Sequence, residues 1–208
     1  MNTVCIFIIF DYALTLLHFD KDQIIWITGL MHHIPVLYCS YNVLMDNNFW
    51  IDKENYSTTL SMFMISHSTS YFVYDVLLQF VKECIYKKPD IFLHAVSCCS
   101  VFAYIYMEGK YHFYGAAFLT FEISSPFLYA AFFLNRQKKI DTLLFQINSA
   151  MLVFTFFASR ICFGNYIIMY ELWPHIGIFF RMVALILTAL NHIWFGKLLL
   201  KCRQLLLS

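Results

Sequence analysis

The sequence predicts an all-α integral membrane protein, a bundle of six or seven transmembrane helices. Two observations carry this prediction. Of the 208 residues, 61% are hydrophobic and only 13% are charged, whereas soluble domains average about 45–50% apolar and about 25% charged residues. The apolar residues also gather into runs close to the length of about 20 residues that a helix needs to cross a bilayer. A chain with so little polar surface cannot be solvated by water on all sides.

Six apolar runs are the candidate spanning helices, and they follow one another closely within a single domain at residues 24–200. We place them at residues 24–45, 60–81, 91–107, 113–134, 142–163 and 176–196. The preceding segment, residues 1–23, is a marginal span or an interfacial helix, because Asp11 interrupts its apolar stretch. Residues 201–208 follow as a short tail.

The basic residues predict the orientation of these helices. Nine of them follow the second, fourth and sixth runs: Lys82, Lys87, Lys88, Arg136, Lys138, Lys139, Lys197, Lys201 and Arg203. The intervening loops carry only Lys53 and Lys110. Since cytoplasmic loops are enriched in lysine and arginine, the richer side is predicted to be cytoplasmic. The C-terminal tail is then cytoplasmic as well.

Composition argues against several classes of function. The formal net charge is only +1, so no basic excess indicates a nucleic-acid partner. The seven cysteines contain no CxxC pair, and no zinc site or other metal site is expected. A di-iron lipid oxidase needs histidines three or four residues apart, whereas the adjacent His32 and His33 point about 100° apart on a helix. We expect no cofactor, and the oligomeric state stays open.

Four ionisable residues lie inside the predicted spans: Asp75, Glu122, Arg160 and Arg181. Each charge costs about 2.5–3.5 kcal/mol at the bilayer centre even on the lenient insertion scale. Two acids and two bases can neutralise one another if all four face the interior of the bundle, and we expect that arrangement. The alternative is an ion-pair network that only holds the helices together.

Two of the predicted helices carry polar stripes. In the second run the stripe is formed by residues at intervals of four, three and one: His67, Tyr71, Tyr74 and Asp75. In the last run, the same spacing rule groups Arg181, Thr188, Asn191 and His192 on one face. Polar stripes in lipid need either each other or a water-filled cavity.

The segment FEISSPF, residues 121–127, combines an acid with a helix breaker. Pro126 has no N–H, so it leaves the backbone carbonyl of Glu122 without its helical hydrogen bond. Ser124 and Ser125 add two hydroxyl groups at the same point. Such backbone is tolerated at membrane depth only against protein or a wet cavity. A packing kink is the alternative, although a kink does not require a glutamate.

His94 is the candidate catalytic residue. It stands early in KPDIFLHAVSCC, where Pro89 and Asp90 suit the start of a helix. Asp90 lies four residues before His94, on the same helical face, where its carboxylate could orient the imidazole. A histidine that is merely hydrogen-bonded to a neighbouring helix is the commoner arrangement.

Five motifs resemble those of the TLC-domain family, the membrane fold shared by ceramide synthases and several lipid-regulating proteins. FEISSPFL resembles the family signature E-[LI]-S-[ST]-P-F-L, and SYFVYDV resembles G-Y-F-x-Y-D with Ser70 in place of glycine. KPDIFLHAVS resembles D-x-x-x-H-H, FFASRI resembles F-F-x-x-R-I, and ALNHIWFGKLL resembles N-x-x-W-x-x-K. The resemblance covers about residues 25–200 and is closer to the non-synthase members.

The resemblance implies at least six helices around a central cavity that is open to lipid, in the endoplasmic reticulum. The residues expected on the cavity wall are His67, Tyr71, Asp75, His94, Glu122, Ser125, Pro126, Arg160 and Asn191. This chain departs from the ceramide synthases at three points. Ala95 replaces their second histidine, their further acidic pair has no clear counterpart, and the arginine after the proline is absent from FLYAAFFL.

Two functions remain in view. The first is a non-catalytic membrane protein that binds a membrane lipid, an acyl chain or a sphingoid base in its cavity and contributes to membrane lipid homeostasis. The second is an acyl-CoA-dependent N-acyltransferase of ceramide-synthase type. In the second, His94 would be the general base or a transient acyl acceptor, oriented by Asp90 or Asp75. The missing second histidine favours the first.

Overall fold

The computed structural model describes residues 2–81, 89–175 and 177–207, and every regular element in these ranges is a helix. The basic residues Lys82, Lys87 and Lys88, used above to orient the chain, lie outside the described ranges. The chain divides into two compact units, Met1–Leu119 and Thr120–Ser208.

The described residues of the first unit form six α-helices. They are α1 (Asn2–Leu16), α2 (Lys21–Met45), α3 (Asn47–Ile51), α4 (Thr59–Val81), α5 (Pro89–Glu108) and α6 (His112–Leu119).

The second unit combines α-helices with tighter and wider helical turns. In order they are a 3₁₀ segment (Thr120–Ser124), α7 (Ser125–Arg136), α8 (Leu143–Phe156), a first π-helix (Phe157–Phe163), α9 (Gly164–Tyr166), a second π-helix (Ile167–Leu172), a 3₁₀ turn (Trp173–His175) and α10 (Ile178–Leu207). Helix α10 runs on through residues 201–207, which the sequence assigned to a tail.

Four helical stretches of the described residues are long and apolar enough to cross a membrane: Pro89–Glu108, His112–Arg136, Leu143–Leu172 and Phe180–Gln204. The all-α class and the multi-pass character predicted from the sequence are thereby confirmed. Helices α2 and α4 cover the first two predicted runs, although they are not among these four stretches. The total of six or seven crossings stays a prediction.

Local sequence explains where several helices begin and turn. Helix α2 starts with a capping box, in which Asp20 Oδ1 accepts hydrogen bonds from the N–H groups of Asp22 and Gln23, both at 3.1 Å. The Gln23 side chain returns the contact by accepting from the Asp20 N–H. Helix α8 begins at the Thr142 cap, whose hydroxyl accepts from the Phe145 N–H at 3.3 Å.

A tight connection joins α5 to α6. Gly109 has a φ of +63°, which a glycine adopts without steric cost. Two residues on, Tyr111 is also left-handed at +64° and donates its backbone N–H to the Glu54 carbonyl. Burial, and then the nearby phenol of Tyr104, raise the pKa of the Tyr111 hydroxyl. The hydrogen bond from the Tyr111 N–H to the Glu54 carbonyl anchors the α3–α4 loop to this connection.

Polar side chains bind the helices of the first unit to one another. The Ser40 hydroxyl on α2 donates to the Ala116 carbonyl on α6 at 2.6 Å, and the Thr69 hydroxyl on α4 donates to the Phe102 carbonyl on α5 at 3.0 Å. Ser61 Oγ lies 2.7 Å from His112 Nδ1, and both residues are buried. Such bonds contribute about 0.6 kcal/mol on average between membrane helices.

The N-terminal segment forms α1, which has 15 residues here, while a span needs about 20 residues. Its Phe7 is only 1% exposed. The Phe7 ring lies against the rings of His67, Tyr71 and Tyr74 on α4, at centroid distances of 5.2, 5.5 and 5.8 Å. Helix α1 is thus packed into the first unit.

Candidate functional site

The predicted break at FEISSPF is present as a change of helix type. The 3₁₀ segment Thr120–Ser124 gives way to α7, and Pro126 stands in the first turn of that helix. Proline is well accommodated there, because the first N–H groups of a helix have no intrahelical partner. The acid, the proline and the two serines therefore meet at a helix start.

Glu122 and Arg160 form a buried ion pair. Arg160 Nη2 lies 3.6 Å from Glu122 Oε2, and the two side chains are only 7% and 10% exposed. The same carboxylate oxygen accepts a hydrogen bond from the Ser125 hydroxyl at 2.6 Å. The two charges neutralise each other as the sequence analysis expected of an acid and a base inside the helices.

The other guanidinium nitrogens of Arg160 also have partners. Nε donates to the Phe121 carbonyl at 3.0 Å and to Ser124 Oγ at 3.1 Å. Nη1 donates to Asn191 Oδ1 at 3.4 Å, and Nη2 donates to Ser125 Oγ at 3.3 Å. The one backbone carbonyl among these acceptors is that of Phe121, which accepts from Nε, and it lies one residue before the Glu122 carbonyl that the sequence singles out.

We call this group the arginine cluster, and its members are Phe121, Glu122, Ser124, Ser125, Arg160 and Asn191. It joins the FEISSPF segment, the first π-helix and α10, all within the second unit. Removing one partner of a buried charge pair typically costs about 3–5 kcal/mol. The cluster is therefore the most strongly constrained polar group described in this unit.

The backbone around Arg160 is unusual in two ways. Arg160 lies in the π-helix Phe157–Phe163, a wider turn that occurs in short pieces and often at functional sites. Directly after it, Gly164 faces the ring of Phe121, and a Cβ there would lie 2.8 Å from Phe121 Cζ. The missing side chain at Gly164 thus lets the FEISSPF segment approach closely enough for Arg160 to reach its carbonyl.

Arg181 on α10 is in the opposite situation. Its Cζ lies 5.3 Å from the centroid of the Trp173 ring, a contact worth about 0.5–2 kcal/mol. Its Nε is buried and has no hydrogen-bond acceptor among the described residues of this unit, and an unsatisfied buried donor costs about 1–3 kcal/mol. The structure gives Arg181 no acidic partner within the described part of its own unit, whereas it pairs Arg160 with Glu122.

The polar face predicted on α10 divides into separate contacts. Asn191 is 3% exposed and belongs to the arginine cluster. His192 is exposed, and its Nδ1 lies 2.8 Å from the Thr188 carbonyl. Because a carbonyl only accepts, Nδ1 carries the proton and Nε2 accepts from the Asn165 amide at 3.4 Å.

The polar stripe predicted on α4 faces other rings in the first unit. The Tyr74 hydroxyl donates to Asp11 Oδ2 on α1 at 2.8 Å. The ring of Tyr71 stacks on His32 of α2 with centroids 4.0 Å apart and planes 5° apart. His67 stacks on the same His32 ring at 5.5 Å. We call these five residues, Asp11, His32, His67, Tyr71 and Tyr74, the histidine–tyrosine cluster.

Sequence reasoning missed part of this cluster. From the sequence, Asp11 is only an interruption of the N-terminal apolar stretch. His32 and His33 are only a pair with the wrong spacing for a di-iron site. His33 is buried too, with its ring 5.2 Å from that of His32. Among the described residues, no group of three His, Cys, Asp or Glu side chains has the geometry of a metal site. An ionisable residue within the N-terminal apolar stretch was the signal that could have pointed to α4.

The candidate catalytic residues lie on α4 and α5 in the first unit. His94 is half-buried, and the Sγ of Cys98 lies 3.8 Å from its Nδ1 and 3.6 Å from its Nε2. A sulfur almost equally distant from both nitrogens lies off the in-plane direction of a hydrogen bond. Asp75 and Asp90 are also half-buried.

Ala95 is completely buried, and it occupies the position where the synthases carry their second histidine. His94 and Asp75 belong to the first unit, whereas Glu122 and Arg160 belong to the second. The convergence of all four on one cavity stays a prediction.

Comparison with known proteins identifies the family. The family model described as TRAM_LAG1_CLN8, TLC domain, matches residues 22–200. A TLC domain-containing protein of Schizosaccharomyces pombe described as uncharacterized is 26% identical over 192 residues, which are 86% of this chain and 66% of the relative. No solved structure matches the chain.

Two further relatives carry the same domain. TLC domain-containing protein 4 A of Dictyostelium discoideum is 32% identical over 129 residues, 59% of this chain and 47% of the relative. A TLC domain-containing protein of Saccharomyces cerevisiae, also described as uncharacterized, is 29% identical over 195 residues, 82% of this chain and 60% of the relative. This chain therefore spans no more than about two thirds of each relative's length. The family match covers most of the chain and agrees with the five motifs read from the sequence, and the chain belongs to the TLC-domain family.

Proposed function

We propose that this protein binds a lipid or an acyl chain in an internal cavity and thereby contributes to membrane lipid homeostasis. The observation that carries the proposal is the arginine cluster. A glutamate, an arginine, two serines and an asparagine are buried together among helices that are apolar enough for lipid. Polar groups at membrane depth generally mark a site that faces the bundle interior or a cavity.

The placement in the membrane is part of the same proposal. Six or seven helices would cross the membrane of the endoplasmic reticulum, with the C-terminus in the cytoplasm. The distribution of basic residues supports that orientation, because Arg136, Lys138 and Lys139 follow one span and Lys197, Lys201 and Arg203 lie towards the end of another.

The cavity would be lined by residues from both halves of the sequence. From the first unit we propose His67, Tyr71, Asp75 and His94, and from the second Glu122, Ser125, Pro126, Arg160 and Asn191. The ligand would be a membrane lipid that carries an acyl chain or a sphingoid base. Nothing in this proposal requires a cofactor or a metal.

Photo-crosslinking tests the proposal directly. Cells that express the chain are fed a fatty acid or a sphingoid base carrying a photoactivatable group, and the crosslinked peptides are identified by mass spectrometry. We expect crosslinks within residues 118–127 and 157–163, in excess of those to Ile147 and Phe154, two exposed apolar residues of α8. Crosslinks confined to exposed residues such as these two would contradict an internal site.

The alternative function is N-acylation of a sphingoid base by acyl-CoA, with His94 as base or acyl acceptor. The observation in its favour is Asp90, which lies one helical turn before His94 on α5, where it could orient the imidazole. The fully buried Ala95 weighs against it. We therefore expect little or no ceramide from purified protein given sphinganine and acyl-CoA. Ceramide formation that His94→Ala abolishes would make the protein an enzyme.

A further inference from the structure

Arg181 stands at the start of the last helix, and no acidic side chain in the described part of its own unit pairs with its positive charge. Its own N–H donates to the Gly177 carbonyl at 3.1 Å, which places Arg181 in the first turn of α10. That turn contains no acidic residue. The N-terminal end of a helix is itself electropositive, because its first N–H groups have no partner and the peptide dipoles point along the axis. Two positive sources therefore coincide.

The Arg181 guanidinium packs against an aromatic ring on one side, and part of the side chain is accessible from outside. Trp173 provides an aromatic wall 5.3 Å from Cζ. The Nε atom is shielded from solvent and has no acceptor among the described residues of the second unit, so water does not satisfy it. The side chain as a whole is half-buried. An arginine placed in this way offers a planar set of donors that fits the two oxygens of a carboxylate or phosphate.

Exposed apolar side chains flank Arg181 along the same helix. Ile178, Met182 and Leu185 are 75%, 55% and 40% exposed. Leu185 lies one turn beyond Arg181, so its side chain is on nearly the same face. An anionic head group at Arg181 would therefore have an apolar surface beside it for an attached acyl chain.

We propose that Arg181, backed by Trp173 and the start of α10, is a binding site for the oxyanion of an acidic amphiphile. The head group is a carboxylate or a phosphate, and the apolar part is an acyl chain. This inference rests on the proposed lipid-binding function and adds the charge of the ligand to it. Arg160 does not compete for this role, because its donors are already engaged within the arginine cluster.

The test uses the full chain in neutral detergent and native mass spectrometry. The three probes are oleate, 1-oleoyl lysophosphatidate and oleyl alcohol, which share one chain and differ in head group. We expect the two anions to bind at least about tenfold more tightly than the alcohol, the change equivalent to about one charge-assisted contact. If only oleate binds tightly, the site is one for a carboxylate. If only lysophosphatidate binds tightly, the site is one for a phosphate.

Variants locate the site. Arg181→Gln should remove the preference for the two anions, whereas Arg181→Lys should keep part of it, because the charge remains. The matched control is Arg203→Gln, because Arg203 is an exposed arginine at the other end of α10. This variant should bind the three probes as the wild type does. An unchanged anion preference in Arg181→Gln, in a preparation that melts like the wild type, would overturn the proposal.

Failure of the inference differs from failure of the proposed function. If the wild type binds all three probes equally, lipid binding stands and the anion site is wrong. If it binds none of them, the proposed function loses its support as well. If Arg181→Gln does not fold, the binding of the three probes to the wild type and to Arg181→Lys still tests the proposal. Complete loss of the preference for anions in Arg181→Lys, which keeps the positive charge, would contradict a site built on charge.

Discussion

The arginine cluster and the histidine–tyrosine cluster bury polar side chains among apolar helices in two different ways. In the arginine cluster, every guanidinium nitrogen of Arg160 has an acceptor between 3.0 and 3.4 Å. In the histidine–tyrosine cluster, rings contact rings, as in the stack of Tyr71 on His32, and the buried Nε2 of His67 has no hydrogen-bond partner among the described residues.

The difference follows from charge. A full charge in an apolar surrounding must be paired and hydrogen-bonded, because its desolvation costs far more than that of a neutral group. The imidazole and phenol rings of the histidine–tyrosine cluster carry a large apolar surface and can be buried mainly through their faces. The one carboxylate of that cluster, Asp11, is only half-buried and accepts from the Tyr74 hydroxyl. We therefore expect the arginine cluster to be intolerant of single changes and the histidine–tyrosine cluster to be tolerant of conservative ones.

The largest effect should come from Arg160→Met, which removes the charge and keeps a long apolar side chain. Glu122, the Phe121 carbonyl and Asn191 would all lose a partner, so we expect a loss of about 3–5 kcal/mol in the free energy of unfolding. Equilibrium unfolding in mixed micelles measures it. Arg203→Met, at an exposed position, is the control. A loss below about 1 kcal/mol would mean that the ion pair is unimportant for folding.

Glu122→Gln should cost less, about 1–3 kcal/mol. The amide oxygen can still accept from the Ser125 hydroxyl and from Arg160, but the arginine charge is no longer neutralised. The double variant Arg160→Met with Glu122→Gln should lose less than the two single losses combined, because the partners interact directly. Simple additivity in the same unfolding measurement would contradict the pairing.

Two glycines allow a matched comparison of close approach. A Cβ at Gly164 would meet the ring of Phe121 at 2.8 Å, while a Cβ at Gly115 would meet the end of the Ile65 side chain at 2.5 Å. A methyl group at the end of a chain can rotate away more easily than an aromatic ring can move. We expect Gly164→Ala to cost about 1–3 kcal/mol in the free energy of unfolding, and Gly115→Ala to cost less. The reverse order would show that the ring of Phe121 is free to shift.

The smallest effect should be that of Tyr74→Phe in the histidine–tyrosine cluster. It removes the hydrogen bond to Asp11 and leaves the ring contacts in place, so we expect a loss of about 0.5–1.5 kcal/mol in the free energy of unfolding. The control is Tyr38→Phe, since Tyr38 is 66% exposed. A loss as large as that of Arg160→Met would contradict the contrast between the clusters.

Much of the helical layout follows from the sequence alone. The length of the apolar runs predicts helices, and each of the six predicted runs falls on helical structure in the described residues. The FEISSPF segment was identifiable because proline has a fixed backbone geometry, and an intramembrane acid requires a partner. The cost of unpaired charge predicts that Glu122 has a basic partner, but it does not predict that this partner is Arg160 rather than Arg181.

Other features depend on contacts that sequence spacing does not encode. The π-helical turn around Arg160 has no compositional signal, because its residues are ordinary apolar and small ones. Asp11 interrupts an apolar stretch and therefore requires a partner, but spacing along the chain does not identify Tyr74, 63 residues away, as that partner. Both Arg160 and Arg181 are basic residues within apolar runs, and although only Arg160 lies in a family motif, the difference between their surroundings is visible only in the structure.

The π-helix at Phe157–Phe163 also has a consequence for chain length. A π turn accommodates one residue more than an α turn does. Deleting one residue from this stretch, such as Ala158, would let it relax to an ordinary α-helix, and the residues that follow would keep nearly the same register on α8, because only the excess residue is lost. Among relatives of this chain, a one-residue gap at this place would therefore mark a protein whose helix is regular here, even where the arginine itself is still present.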